Sequence, residues 1–125
     1  MKLLLDTNVM LWLLASPERI NSRVRDLLHD RGNGLFVSSA SIWEVAIKIS
    51  IGKLEIDPFW LEELINLDVK FLPIEMHHAW LVGDLPFHHR DPFDRLLVAQ
   101  AQIEQATLVT SDAILSRYGV PVLLV

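Results

Sequence analysis

Leu3-Leu4-Leu5-Asp6-Thr7-Asn8 decides the fold: an apolar run of strand length ends abruptly in a carboxylate and two short polar residues. Such a run reads as a buried strand, and Asp6 then emerges at its carboxyl end, where the chain turns into a helix. In an open parallel sheet, ligands bind in the crevice beyond these strand ends. Leu108-Val109-Thr110-Ser111-Asp112 repeats the arrangement: apolar strand, small hydroxyl residues, then a carboxylate at a helix start. Two strands thus deliver two acids to one edge.

Working outward, short runs rich in Leu, Val and Phe alternate with longer stretches of helical period, the pattern of a parallel α/β sheet with helices on its faces. Strands are expected at Lys2 to Leu5, Leu35 to Val37, Lys70 to Leu72, Thr107 to Val109 and Val122 to Leu124. Helices are expected at Val9 to Ala15, Asn21 to Arg31, Ser41 to Ile51, Pro58 to Leu67, Glu75 to Leu81, Pro92 to Gln105 and Asp112 to Tyr118. The punctuation agrees. Arg31-Gly32-Asn33-Gly34 is a helix stop and turn, Gly52 and Gly119 close helices, and Pro58 and Pro92 suit a first helical turn.

The 125 residues, free of linkers, internal repeats and low-complexity tracts, fit one domain. At 51% apolar and 22% charged residues, the chain lies outside the disordered and collagenous classes. The absence of cysteine excludes thiol nucleophiles, disulfides and Cys-ligated zinc. Asp6 interrupts the one apolar run that resembles a leader, and no stretch approaches the about 20 apolar residues that span a bilayer, so a cytoplasmic chain is expected. A mean hydropathy of +0.32 is high for so small a soluble domain. It predicts apolar surface around Trp12, Trp43, Phe59 and Trp60 that another chain covers. The net charge of -5 argues against nucleic-acid binding through a broadly basic surface.

Two further acids join Asp6 and Asp112. Glu44 lies in a helix with an apolar stripe of Ile42, Val45, Ala46 and Ile49, and Asp94 lies in His88-His89-Arg90-Asp91-Pro92-Phe93-Asp94-Arg95. Each acid has a structural alternative. Asp6, Asp91 and Asp112 suit N-caps, Ser41-x-x-Glu44 matches a capping box, Glu44 can pair with Lys48, and Asp94 favours a helix dipole. All four are expected in first helical turns that follow a strand or loop. Gathering four carboxylates there is unfavourable unless something cationic sits among them. An all-oxygen set suits Mg2+ or Mn2+, and the chemistry that follows is metal-assisted phosphodiester hydrolysis. Thr7, Asn8, Thr110 and Ser111 are short polar groups suited to orient the carboxylates.

Leu-Leu-Asp6-Thr-Asn8, Ser-x-x-Ser-x-Trp-Glu44-Val, Asp91-Pro-Phe-Asp94-Arg-Leu-Leu-Val-Ala-Gln-Ala101 and Thr110-Ser-Asp112, in this order across the whole chain, resemble PIN-domain ribonucleases of the VapC toxin type. The resemblance implies a three-layer α/β/α fold around a five-stranded parallel sheet, a homodimer, and Mg2+- or Mn2+-dependent cleavage of RNA. It further implies a cognate antitoxin whose tail occupies the groove. Family roles fall on Asp6, Glu44, Asp94 and Asp112 as metal-binding and catalytic acids, with Thr110 as a supporting hydroxyl and Asp91 as an extra acid.

Arg90 and Arg95, with His88 and His89, surround Asp94 and are candidates for phosphate contact; the alternative is a solvated loop. The pairs His77-His78 and His88-His89 lack the i,i+4 spacing of a helical zinc site. The aromatic residues, Trp80 included, recur at helical spacing and are expected in the core and a dimer contact. Three rival readings remain. A receiver-like phosphoacceptor domain needs a lysine after the last strand, whereas the final lysine is Lys70. A haloacid-dehalogenase-like phosphatase needs a second aspartate where Asn8 stands. A non-catalytic PIN-like binding module would not need the full acidic set.

Overall fold

A computed structural model describes all 125 residues. The elements run β1 (Lys2–Leu5), α1 (Thr7–Ala15), α2 (Ser22–His29), β2 (Gly34–Ser38), α3 (Ser39–Ser50), α4 (Trp60–Asn66), β3 (Lys70–Leu72), α5 (Met76–Leu81), α6 (Pro92–Glu104), β4 (Thr107–Thr110) and β5 (Val122–Leu124). Short 3-10 turns at Pro17–Arg19, Val82–Asp84 and Ala113–Tyr118 complete the chain. All five strands are parallel, in the order β3-β2-β1-β4-β5. The chain therefore builds one half of the sheet outward from β1, then crosses back to build the other. The reversal between β1 and β4 opens a crevice at their carboxyl ends.

Alternation along β1 divides the core. Leu3 and Leu5 face a cluster with Val9, Met10, Val24, Leu28, Val45, Trp60 and Leu64, which carries α1, α2 and α4. Leu4 faces the other cluster, with Leu97, Val98, Ala101, Leu108 and Leu115, which carries α6. All three leucines are fully buried, as a strand covered on both faces requires. The result is the three-layer α/β/α arrangement.

Four expectations need correction. Helix α3 starts at Ser39, capped by the Ser38 hydroxyl on the Ala40 N–H, so Ser41 makes no capping box and Glu44 falls in the second turn. Pro58 precedes α4: Asp57 accepts from the Phe59 N–H and completes the turn before the helix begins at Trp60. The segment after Asp112 forms a 3-10 helix, Ala113–Tyr118. Of the aromatics, Trp60 enters the core, Trp12 is half-buried beneath the Arg19 guanidinium, and Trp43, Phe59 and Trp80 are exposed.

Candidate active site

Asp6 leaves β1 as the N-cap of α1. Its Oδ1 accepts the Val9 N–H at 2.8 Å and its Oδ2 accepts the Thr110 hydroxyl. That hydroxyl oxygen in turn accepts the Asp112 N–H at 3.0 Å. One threonine at the end of β4 therefore fastens the acid after β1 to the turn that carries the acid after β4. Asp112 caps the 3-10 helix through Oδ1 on the Ile114 N–H, leaving Oδ2 turned inward.

Glu44 reaches the same crevice from α3. Its Oε1 accepts the Thr7 hydroxyl at 2.7 Å, Thr7 also lies 3.0 Å from Ser41 Oγ, and Oε2 pairs with Lys48 at 2.8 Å, as the i,i+4 spacing predicts. Asp94 arrives in the first turn of α6, which Asp91 caps through the Phe93 N–H. Asp91 thus has a structural role, with Pro92 in the first helical position.

Two of the four carboxylates are raised by their surroundings. Burial pushes the Asp6 carboxyl above its ordinary range; the bonds from Thr110 and Val9 oppose the rise, and the charges of Glu44 and Asp112 add to it. Burial, followed by the charge of Asp91, pushes Asp94 to about 7, with further increments from Asp6 and Glu44 and an opposing effect of His89. The charge of Glu44 thus raises both Asp6 and Asp94, and that of Asp112 raises Asp6, as expected where negative charge is collected.

His89 joins two of these acids. Its Nε2 lies 2.8 Å from Asp112 Oδ2 and 3.4 Å from Asp94 Oδ2, and the three atoms lie within 4.8 Å of one another. Sequence reasoning placed His89 only on a general cationic edge. The direct partnership with Asp112, 23 residues away, leaves no spacing signal. Ser41 was likewise missed as a partner of Thr7, because the capping-box reading assigned it elsewhere.

None of the remaining candidates bonds to one of the four acids. Asn8 and Ser111 are exposed. Arg95 is buried, and its guanidinium donates to the carbonyls of Val82, Leu85 and Pro86 and to the Tyr118 hydroxyl, so it is a structural strut and no phosphate contact. Arg90 is exposed and lines a groove with Glu44, Lys48, Lys53 and Asp91. His78, buried against Glu104, uses both ring nitrogens within the protein: Nδ1 accepts the Glu75 N–H, so Nε2 carries the proton that Glu104 receives. A larger cavity of about 730 Å3 lies between the α2–β2 turn and the end of α4, remote from the four acids. Chemistry, and not cavity size, locates the site.

A model of the PIN domain family matches residues 3–121. Among solved structures the chain is similar to VapBC2 from Rickettsia felis bound to a DNA fragment from their promoter, with 18% identity and a TM-score of 0.75 over 99% of this chain and 98% of that one. It is also similar to DNA-bound VapBC from Salmonella typhimurium (16% identity, TM-score 0.73, 98% and 97% covered). A third likeness is to VapBC-1 from nontypeable Haemophilus influenzae (18%, 0.71, 99% and 98%). No curated protein matches by sequence. The family match over nearly the whole length, on a fold whose crevice gathers the four acids, makes this chain a member of the PIN domain family.

Proposed function

We propose that this chain is a divalent-metal-dependent endoribonuclease and the toxin of a VapBC-type toxin–antitoxin pair. The observation that carries the reading is the convergence of Asp6, Glu44, Asp94 and Asp112 from four separate segments on the crevice between β1 and β4, with Asp94 raised to about 7 by burial and neighbouring charge.

The donor set fits Mg2+ or Mn2+: it is all oxygen, free of thiols, and electrostatically short of a cation. Asp6, Asp94 and Asp112 would hold the ion, with Glu44 completing the site directly or through water. A cation there supplies charge for the phosphodiester and lowers the pKa of attacking water. The chain's own residues do the rest. Thr110 fixes the Asp6 carboxylate and the Asp112 turn together, Thr7 fixes Glu44, and the helix start at Asp91 presents Asp94. Arg90, Lys48 and Lys53 line the groove that opens from Glu44 and give it cations for an RNA backbone.

The antitoxin partner is supported by the family resemblance and by the VapBC complexes that share the fold. A homodimer is supported by the exposed Trp43, Phe59 and Trp80. No helix is long and apolar enough to cross a membrane.

The test uses purified chain free of any partner. RNA should be cut with Mg2+ or Mn2+, and EDTA or Asp6→Asn should abolish cleavage. Cleavage that survives both would overturn the mechanism. Expression of the wild type alone should arrest growth, Asp94→Asn should relieve it, and a harmless wild type would remove the toxin role.

A further inference from the structure

His89 is the one side chain that meets the carboxylates of two of the four acids, and three separate contacts fix how it does so. Its Nδ1 accepts the Asp91 N–H at 3.0 Å. A ring nitrogen facing an N–H must present its lone pair, so the ring proton resides on Nε2. That N–H then donates to Asp112 Oδ2 at 2.8 Å and faces Asp94 Oδ2 at 3.4 Å. The backbone of the loop is fixed as firmly. The His89 N–H donates to the Tyr118 hydroxyl at 2.8 Å, and the same hydroxyl accepts from Arg95 Nη1 at 3.3 Å. Arg95 also ties down the carbonyls of Val82, Leu85 and Pro86, so the chain leading to His89 hangs on a buried guanidinium from α6.

Asp112 has a reason to need this partner. Oδ1 is committed to the Ile114 N–H, and one hydrogen bond leaves a carboxylate free to rotate about it. The Nε2–H on Oδ2 removes that freedom and holds the oxygen beside Asp94.

We propose that His89 is a positioning residue of the acidic site: by donating its Nε2–H to Asp112 it keeps that carboxylate turned toward Asp94, so that a divalent cation meets a preformed pair of oxygens. This rests on the reading that the acids hold a cation. His89 is itself no ligand, because the nitrogen that faces the acids carries the proton. Carboxylates that bind metals are commonly oriented by such donors, and losing one typically weakens binding by about 10-fold or more.

The test is Mn2+ binding to the whole, partner-free chain, followed by calorimetry and by the Mn2+ electron spin resonance signal, with no substrate present. His89→Asn keeps an acceptor for the Asp91 N–H and hence the loop, but cannot reach Asp112. His89→Gln keeps a donor at the longer reach. His89→Asn should bind Mn2+ about 10-fold more weakly than the wild type, with His89→Gln recovering most of the loss. Nitrogen-15 spectra of the wild-type ring should place the proton on Nε2. Unchanged or tighter binding in His89→Asn, or equal losses in both variants, would overturn the role. A wild type that takes up no Mn2+ would overturn it too, and that outcome is distinguishable because it also removes the cation reading itself.

Discussion

Asp94 holds its proton into the neutral range because it is buried among like charges, and this has a definite sign in stability. The unfolded chain loses that proton near the ordinary 3.8, the folded chain near about 7. Between these values the folded state binds the extra proton, so the contribution of Asp94 is favourable at low pH and is lost as pH rises through about 7. Asp6, raised for the same principal reason, acts in the same direction. In cation-free buffer, Asp94→Asn should therefore gain in Tm relative to wild type as pH rises from about 5 to about 8; a constant difference would clear Asp94 of the effect. Added Mg2+ should raise the Tm of wild type and much less that of Asp94→Asn, since only the intact site gains from binding. Thr7 holds Glu44 through its hydroxyl, at 2.7 Å. Thr7→Val removes the donor to the buried Glu44 carboxylate and should cost about 1.5–3 kcal/mol, read from the urea midpoint.

Elements were legible in the sequence where a local signal sets them. The strands β1, β3 and β5 fall at the expected residues: Asp6 stops the apolar run of β1, Pro73 follows β3 and Pro121 precedes β5. Helix α6 follows from Asp91-Pro92, a cap and a first-turn proline in succession. Helix α3 was misplaced by two residues because two serines competed for the cap, and the choice of Ser38 depends on where β2 ends, which is a property of the sheet. Asp6, Asp94 and Asp112 were legible because each follows a strand or opens a helix; Glu44, in the second turn of α3, was legible only through the Ser-x-x-Ser-x-Trp-Glu44 pattern. The roles of His89 and Arg95 were not, since a histidine bonded to a distant turn and an arginine buried under carbonyls look the same in sequence as a solvated basic loop. One element also carries visible strain. Helix α6 ends at Gln105 in the left-handed region, φ 54°, with the Ala106 N–H closing back on the Ala101 carbonyl. Gln105→Gly should relieve this and stabilise the chain by about 1 kcal/mol, a rise of a few degrees in Tm that calorimetry would show.

For the whole molecule, the net charge of -5 takes on a different meaning. Without Asp6, Glu44, Asp94 and Asp112, 12 acids face 11 bases, close to balance. The acidity that counts against a nucleic-acid substrate is largely concentrated in these four acids, where a bound cation would reverse its sign. RNA binding should accordingly depend on divalent cation more than on bulk charge, and filter binding with EDTA should show a loss that ionic strength alone does not produce. The exposed Trp43, Phe59 and Trp80 leave apolar surface that the proposed dimer would cover. Light scattering at tens of micromolar should give about twice the 14.3 kDa of one chain, and a single-chain mass at every concentration would remove the dimer.

The pairing of β1 with β4 sets an order in time. Asp6 stands near the amino end, yet its partner hydroxyl, Thr110, and the acid across the crevice, Asp112, come more than 100 residues later. During synthesis the growing chain carries Asp6, Glu44 and Asp94 well before it carries β4, and in that interval β1 has neither its second neighbour nor the threonine that fixes its acid. The acidic crevice is therefore not assembled until the strand that completes it has been translated and paired.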